Sequence, residues 1–371
     1  MARLVKVGSG GNEVTWHKAM LDLRADDVLL LQPGFYTLPQ GKELTDITIK
    51  GLGVNPEDTT ITSNFVVSPD SRYLTLENLC LEAYGDRNAI SVSPEANSYL
   101  TLRNCIVKGA EADAAALAIN GKVTVELYST KILNGSVSFF KTSDFRLEMS
   151  DSLIDYPSDE YCALAIEGKG TAIINNSEIL GSINTFDTTN AEIDINNSRV
   201  NFMILDGQTW MNMFNVDIVS DFEPCLYIGG DCWVNIMNSQ FAGAVYFDKK
   251  TTSLVQNCRI NKLLATGESR MTLMNCIIEV YADFQGKTDV DANLVTFNGD
   301  GNYQYFLVLS KDAKLHGSDL IFNPNSSELA IKDNSKLNVS ILSSSIPSLE
   351  IECAEKNNVN LLGLKWTEKK P

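Results

Sequence analysis

Apolar and polar residues alternate with period two along most of this chain, and one short phrase punctuates the alternation again and again. Residues 253–278 carry it twice, as Val255, Asn257, Cys258, Ile260 and then Leu273, Asn275, Cys276, Ile278. With the Asn as position 0, the frame is apolar at −4 and −2, small or polar at 0 and +1, and apolar at +3. It fits at Gly51, Asn78, Asn104, Ser129, Asp151, Asn176, Asn197, Asn215, Asn238, Asn257, Asn275 and Gly317, and more loosely at Val339 and Leu361. Successive markers lie about 18–27 residues apart, except between Asn275 and Gly317, and such a period predicts a solenoid whose units bury their apolar side against their neighbours.

Period-two alternation across the marker, as in Leu100-Thr-Leu102-Arg-Asn104, predicts strand. Asn and Gly accept the left-handed conformation that a bend between two strands requires. A second short strand precedes each frame, as in Ala116–Ile119, Ala163–Ile166, Cys225–Ile228 and Leu329–Ile331. Each unit is therefore expected to be a three-sided coil, with coils stacked in parallel at roughly 4.8 Å. Trp16, Ala19, Met20 and Leu23 follow helical spacing behind Thr15, a possible N-cap, and predict a short helix covering the first coil.

The Asn corner, the Ser or Cys after it and the three strands per coil resemble the right-handed parallel β-helix of the pectin lyase-like superfamily. The opening resembles that superfamily's N-terminal cap: Gly8-Ser-Gly-Gly11, the helical Trp16–Leu23, then Val28-Leu-Leu-Leu-Gln-Pro-Gly-Phe-Tyr36. The expected architecture is all-β, a single-stranded right-handed parallel β-helix of about 13–14 coils with an N-terminal capping helix. Residues 1–45 are read as the cap and 46–371 as one continuous β-helix domain, with an acidic and aromatic insertion at about 279–304 projecting from it.

The resemblance carries no activity with it, because fold does not fix chemistry. The Gln-Asp and Asp-Phe-Ile-Phe-Gly stretches of pectinesterases are missing. So are the Asp-His and Arg-x-Pro-x-x-Arg segments of pectate lyases. Of the polygalacturonase pattern only out-of-order echoes remain, His316-Gly-Ser-Asp and Arg259-Ile-Asn. Tailspike-like glycosidases, whose acidic residues follow no short motif, are not excluded by these absences.

Charge narrows the partners. There are 30 basic and 47 acidic residues, a formal net of −17, which disfavours nucleic acid and anionic membrane surfaces. No apolar run approaches a membrane span. The N-terminal Met-Ala-Arg-Leu-Val-Lys-Val-Gly lacks the apolar stretch of a signal peptide, so a cytoplasmic location or assembly without a signal is expected. Eight cysteines then read as reduced thiols. Cys105, Cys258 and Cys276 share position +1 and should form part of an interior column, although Cys258 and Cys276 lie within disulfide reach. With only His17 and His316 and no Cys-x-x-Cys, no metal site is expected.

Two outward surfaces remain as candidate sites. If Ile119, Ile166, Phe186, Leu205, Ile228 and Phe247 point inward, then Glu167, Asp187, Asp206 and Asp248 point outward in one column, beside Tyr227 and Tyr246. Carboxylates one or two coils apart suit glycoside hydrolysis or calcium binding, but Asp beside a turn also bonds its own backbone. The second surface is apolar: Tyr73, Tyr99, Trp210 and Trp233 at −5, Phe214, Met237 and Met274 at −1, Ile173 and Leu254 at −3. A register error of one residue would turn that set inward. Tyr281, Phe284, Asp289 and Asp291 in the insertion are further binding candidates. The leading expectation is a non-catalytic interaction or structural protein that docks a protein partner, or associates with itself, through Trp210 and Trp233. The alternative is a polysaccharide-binding or polysaccharide-degrading protein working through the acidic column, with no cofactor other than calcium.

Overall fold

The alternation is realised as stacked parallel strands wound around a dry interior. The computed structural model describes residues 3–11, 13–39, 42–110, 114–156, 158, 162–220 and 223–369. Strand makes up 60% of the chain and helix 3%, and the strands form a β-solenoid of about 16 turns. Two compact units divide it, Met1–Asp194 and Ile195–Pro371.

In the first unit each coil contributes one strand to each of three sheets. Asn97–Arg103, Lys122–Tyr128, Asp144–Ser150 and Lys169–Asn175 stack in the first sheet, the one preceding the corner. Ile106–Lys108, Lys131–Leu133 and Leu153–Asp155 stack in the second. Leu117–Ile119, Val137–Phe139 and Leu164–Ile166 stack in the third. Pairing is parallel and in register, Leu100 against Val125 and Val125 against Leu147. These inward residues are fully buried, the result that strict alternation dictates.

In the second unit the first sheet holds Trp233–Met237, Thr252–Gln256, Arg270–Met274 and Asp289–Asn293, preceded by the longer Gln208–Ile218. Here single strands run through both the second and third sheets, as Gln240–Phe247, Arg259–Ala265 and Ile277–Gln285. Register shifts between Phe241 and Ala244, and between Ile260 and Lys262, bend them at the junction.

The marker is the corner. Asn78, Asn104, Ser129, Asp151, Asn176, Asn197, Asn215, Asn238, Asn257 and Asn275 all adopt positive φ, between 47° and 54°. The Asn257 amide N–H donates to Met274 O at 2.9 Å and that of Asn275 to Asn293 O at 2.9 Å, so each corner is bonded to the next. Side chains form a file as well: Asn104 Nδ2 donates to Asn78 Oδ1 at 2.8 Å, and Asn257 Nδ2 to Asn238 Oδ1 at 3.0 Å. Behind the corner, position +1 points inward. Thr130 Oγ1 donates to Leu102 O at 3.1 Å and Ser152 Oγ to Leu127 O at 3.1 Å, which satisfies hydroxyls that burial would otherwise penalise. Cys105 in the first unit, and Cys258 and Cys276 in the second, occupy this position, buried, and all eight cysteines are free thiols.

Several expectations need correction. Coils begin before residue 46: Leu4–Val7 pairs in parallel with Val28–Leu31, which pairs with Ile47–Gly51. The helix Trp16–Leu21, with Thr15 capping Lys18 N, lies among these strands and buries Ala19 and Met20. Residues 279–304 are not a projecting loop, because Asp289–Asn293 and Thr296–Asn298 are ordinary strands of one more coil. Its corner is Leu294, at φ 55°, an apolar residue where the frame demands a polar one; the following corner is Asp319, at φ 57°, rather than Gly317. Together these coils raise the number above the expected 13–14. Finally, Gly51 is no left-handed corner. A Cβ there would lie 2.1 Å from Asn78 O, so close backbone approach is what selects glycine.

Candidate functional site

The acidic column is only partly assembled. In the first unit Ile166 pairs with Thr185, not with Phe186. Thr185 is the buried residue and Phe186 is 37% exposed. Phe186 therefore takes the outward position that Glu167 holds one coil earlier, and Asp187 moves into the turn beyond it, exposed. Glu167 and Asp187 are not equivalent neighbours. The sequence reading failed here because a Phe was assumed to be inward.

In the second unit the expected order holds. Leu205 pairs with Ile228 and Ile228 with Phe247, all buried, so Asp206, Gly229 and Asp248 follow one another outward on consecutive coils. Gly229 leaves room for the Tyr227 ring, which a Cβ would meet at 2.4 Å. Tyr227 packs edge-on against Tyr246, with centroids 5.4 Å apart, and its hydroxyl donates to Asp248 Oδ2 at 3.3 Å. Thr266 Oγ1 donates to Asp248 Oδ1 at 2.6 Å, and the Lys249 amide does so at 2.7 Å. Tyr246 Oη and Thr266 Oγ1 are 3.2 Å apart. Lys249 Nζ reaches back to Asp206 Oδ1 at 3.3 Å.

These contacts decide what the cluster can do. Burial pushes the Asp248 carboxyl up, but the bonds from Thr266, the Lys249 amide and Tyr227 outweigh it and hold the group below the usual carboxylate range. A general acid for glycoside cleavage needs the opposite shift. Burial, then Asp248, raises the Tyr227 phenol, so it stays a donor. Lys249 and Thr266 were missed in the sequence, although Thr266 occupies the same column as Asp248 one coil further on. Among the described residues no group of three His, Cys, Asp or Glu side chains is placed to hold a metal ion.

The apolar surface is outward, as the frame requires. Trp210 pairs with Trp233, Asn212 with Asn235 and Phe214 with Met237. Trp210 is 46% exposed, Trp233 61% and Phe214 45%. The inward alternates Met211, Met213, Val234 and Ile236 are buried, which rules out the one-residue slip. The next coil adds Thr252, Leu254 and Gln256 to the same face.

The four candidates of residues 279–304 go to different places. Phe284 is fully buried in the core and is no binding residue. Tyr281 stacks on Tyr303 with centroids 5.5 Å apart, and Lys262 Nζ lies 5.1 Å from the Tyr303 ring centre. Burial, with Asp283 beside it, pushes the Tyr281 phenol far up. Asp289 and Asp291 lie on the first sheet, where Asp291 pairs with His316 and Asp289 Oδ1 is 3.9 Å from His316 Nε2.

Fold and surface together define a parallel β-solenoid with an uncharged aromatic face and a tied-down polar cluster. No protein-family model matches the chain, and a comparison with curated proteins finds no match.

Proposed function

We propose that this protein is a non-catalytic interaction solenoid that associates through the Trp210/Trp233 face, with a second copy of the chain as the occupant. One observation carries the reading. Nine outward positions on three consecutive coils hold Trp, Asn, Phe, Trp, Asn, Met, Thr, Leu and Gln, without a single charge. The chain as a whole is 21% charged residues and carries a net −17. The net negative charge opposes association of two copies in general, whereas these nine positions add no charge to that repulsion. Exposed Trp and Phe side chains gain roughly 25 cal/mol for each Å² removed from water.

The face spans only a few coils of roughly 4.8 Å each, small against the ~800 Å² per partner of a stable complex, so association is weak and reversible. Sedimentation velocity over a concentration series tests this. Reversible dimers are expected for the wild type and only monomers for Trp210→Ala/Trp233→Ala. A wild type that stays monomeric at the highest concentration contradicts the reading.

A second reading is polysaccharide binding without cleavage on the same face. It is favoured by the amides Asn212 and Asn235 lying between the aromatic columns, since sugars use both stacking and hydrogen bonds. Kinship with the pectin lyase-like β-helices accords with this reading and remains a proposal. Glycan-array binding that survives the double Trp substitution counts against it.

A further inference from the structure

A groove of about 590 Å³ crosses the second sheet of the second unit, lined by Asp217, Gln240, Ala242, Arg259, Asn261 and Glu279. That volume lies in the range of small-ligand sites. Three of its residues stand on consecutive coils in strict register, Asp217 beside Gln240 and Gln240 beside Arg259. Among the described residues, neither the Asp217 carboxylate nor the Gln240 amide has a partner. Arg259 is oriented through Nε, which donates to Glu279 Oε1 at 2.6 Å, and its side chain is 65% exposed. Asn261 Nδ2 is bonded to Ala242 O at 3.0 Å, leaving its carbonyl oxygen available.

We propose that this groove binds a short zwitterionic peptide. An uncommitted carboxylate at one end suits an ammonium. A guanidinium fork at the other suits a terminal carboxylate. Two coil spacings separate the Asp217 and Arg259 backbones, roughly 10 Å. An extended residue spans ~3.3–3.6 Å, so a tripeptide places its two charges at matching distance, whereas a free amino acid falls short. The Gln240 amide lies midway, where it meets a peptide group with both donor and acceptor. The small Ala242 leaves floor space for a side chain. A uronate sugar matches only the Arg259 end and brings no cation to Asp217.

The test is isothermal titration with trialanine, its N-acetyl form, its C-terminal amide and galacturonate. Trialanine is expected to bind. Loss of either terminal charge, or Asp217→Asn or Arg259→Gln in the protein, is expected to weaken binding about tenfold, the effect of one lost charged hydrogen bond. Both substituted residues are exposed, and circular dichroism of the variants confirms that the fold is retained. Binding of the acetylated or the amidated peptide as tight as that of trialanine overturns the proposal. So does binding of galacturonate alone, or no binding of trialanine at millimolar concentration.

Discussion

Asn275 donates its side-chain amide to Asn257 Oδ1 at 2.9 Å, one coil apart, and both residues sit in the left-handed conformation. One residue type thus meets two demands at the corner: it tolerates positive φ and bonds along the stack. Asn257→Ala removes both and is expected to lower stability by about 1–2 kcal/mol, while Asn257→Gly keeps the backbone and costs less. Urea denaturation of the two variants checks the order. Equal losses would mean that left-handed tolerance contributes nothing, and no loss in the glycine variant would mean that the side-chain file contributes nothing.

Leu294 offers the converse. It holds φ 55° with its side chain 50% exposed, so it bears the strain of the corner without burying itself in return. Leu294→Asn is expected to raise the melting temperature by a few degrees, from relief of about 1 kcal/mol of backbone strain. A lowered melting temperature would show that the leucine is held by contacts of its own.

Acid should loosen the first unit through Asp46. Burial raises this carboxyl, but the hydrogen bonds from Arg72 prevail and leave it below its ordinary value of 3.8. A depressed carboxylate gives stability that is complete above the unfolded value and is lost as pH falls through the folded one. The expected loss therefore lies below about pH 4. Arg72 is 69% exposed, which screens the pair, so Asp46→Asn should cost only about 1 kcal/mol at pH 7 and flatten the acid limb of a stability–pH curve.

Three buried thiols, Cys105, Cys225 and Cys258, should be inert while the protein is folded. Burial pushes Cys105 up to about 12 and Cys225 up to about 11, and the hydrogen bond with Cys276 pushes Cys258 further still. Labelling with a thiol reagent at pH 8 is expected to be slow for all three until denaturant is added. Fast labelling of Cys258 in the native protein would show that the interior column is open.

Much of this was legible because alternation and the corner residue are local properties of the chain. The inward and outward sides of the first sheet, including Trp210, Trp233 and Phe214, follow from parity alone. Parity failed where the strand end was misjudged: Thr185, not Phe186, is the last inward residue of its strand, because pairing with Ile166 overrode hydrophobicity. The coil closed by Leu294 was hidden because its marker is apolar. Nor could spacing show that Thr266 and Lys249 tie down Asp248 and Asp206, or that Glu279 orients Arg259. Those contacts join residues about one or two coils apart, and only the stacked register brings them together.

Tryptophan emission as a function of concentration tests the proposed self-association most directly. In a Trp16→Phe/Trp366→Phe variant only Trp210 and Trp233 report, and both are exposed in the free chain. If two copies meet on this face, emission is blue-shifted at high concentration and moves to the red on dilution, in step with dissociation by sedimentation. Emission that stays red at every concentration, while the protein dimerises or remains monomeric, would contradict the assignment of this face.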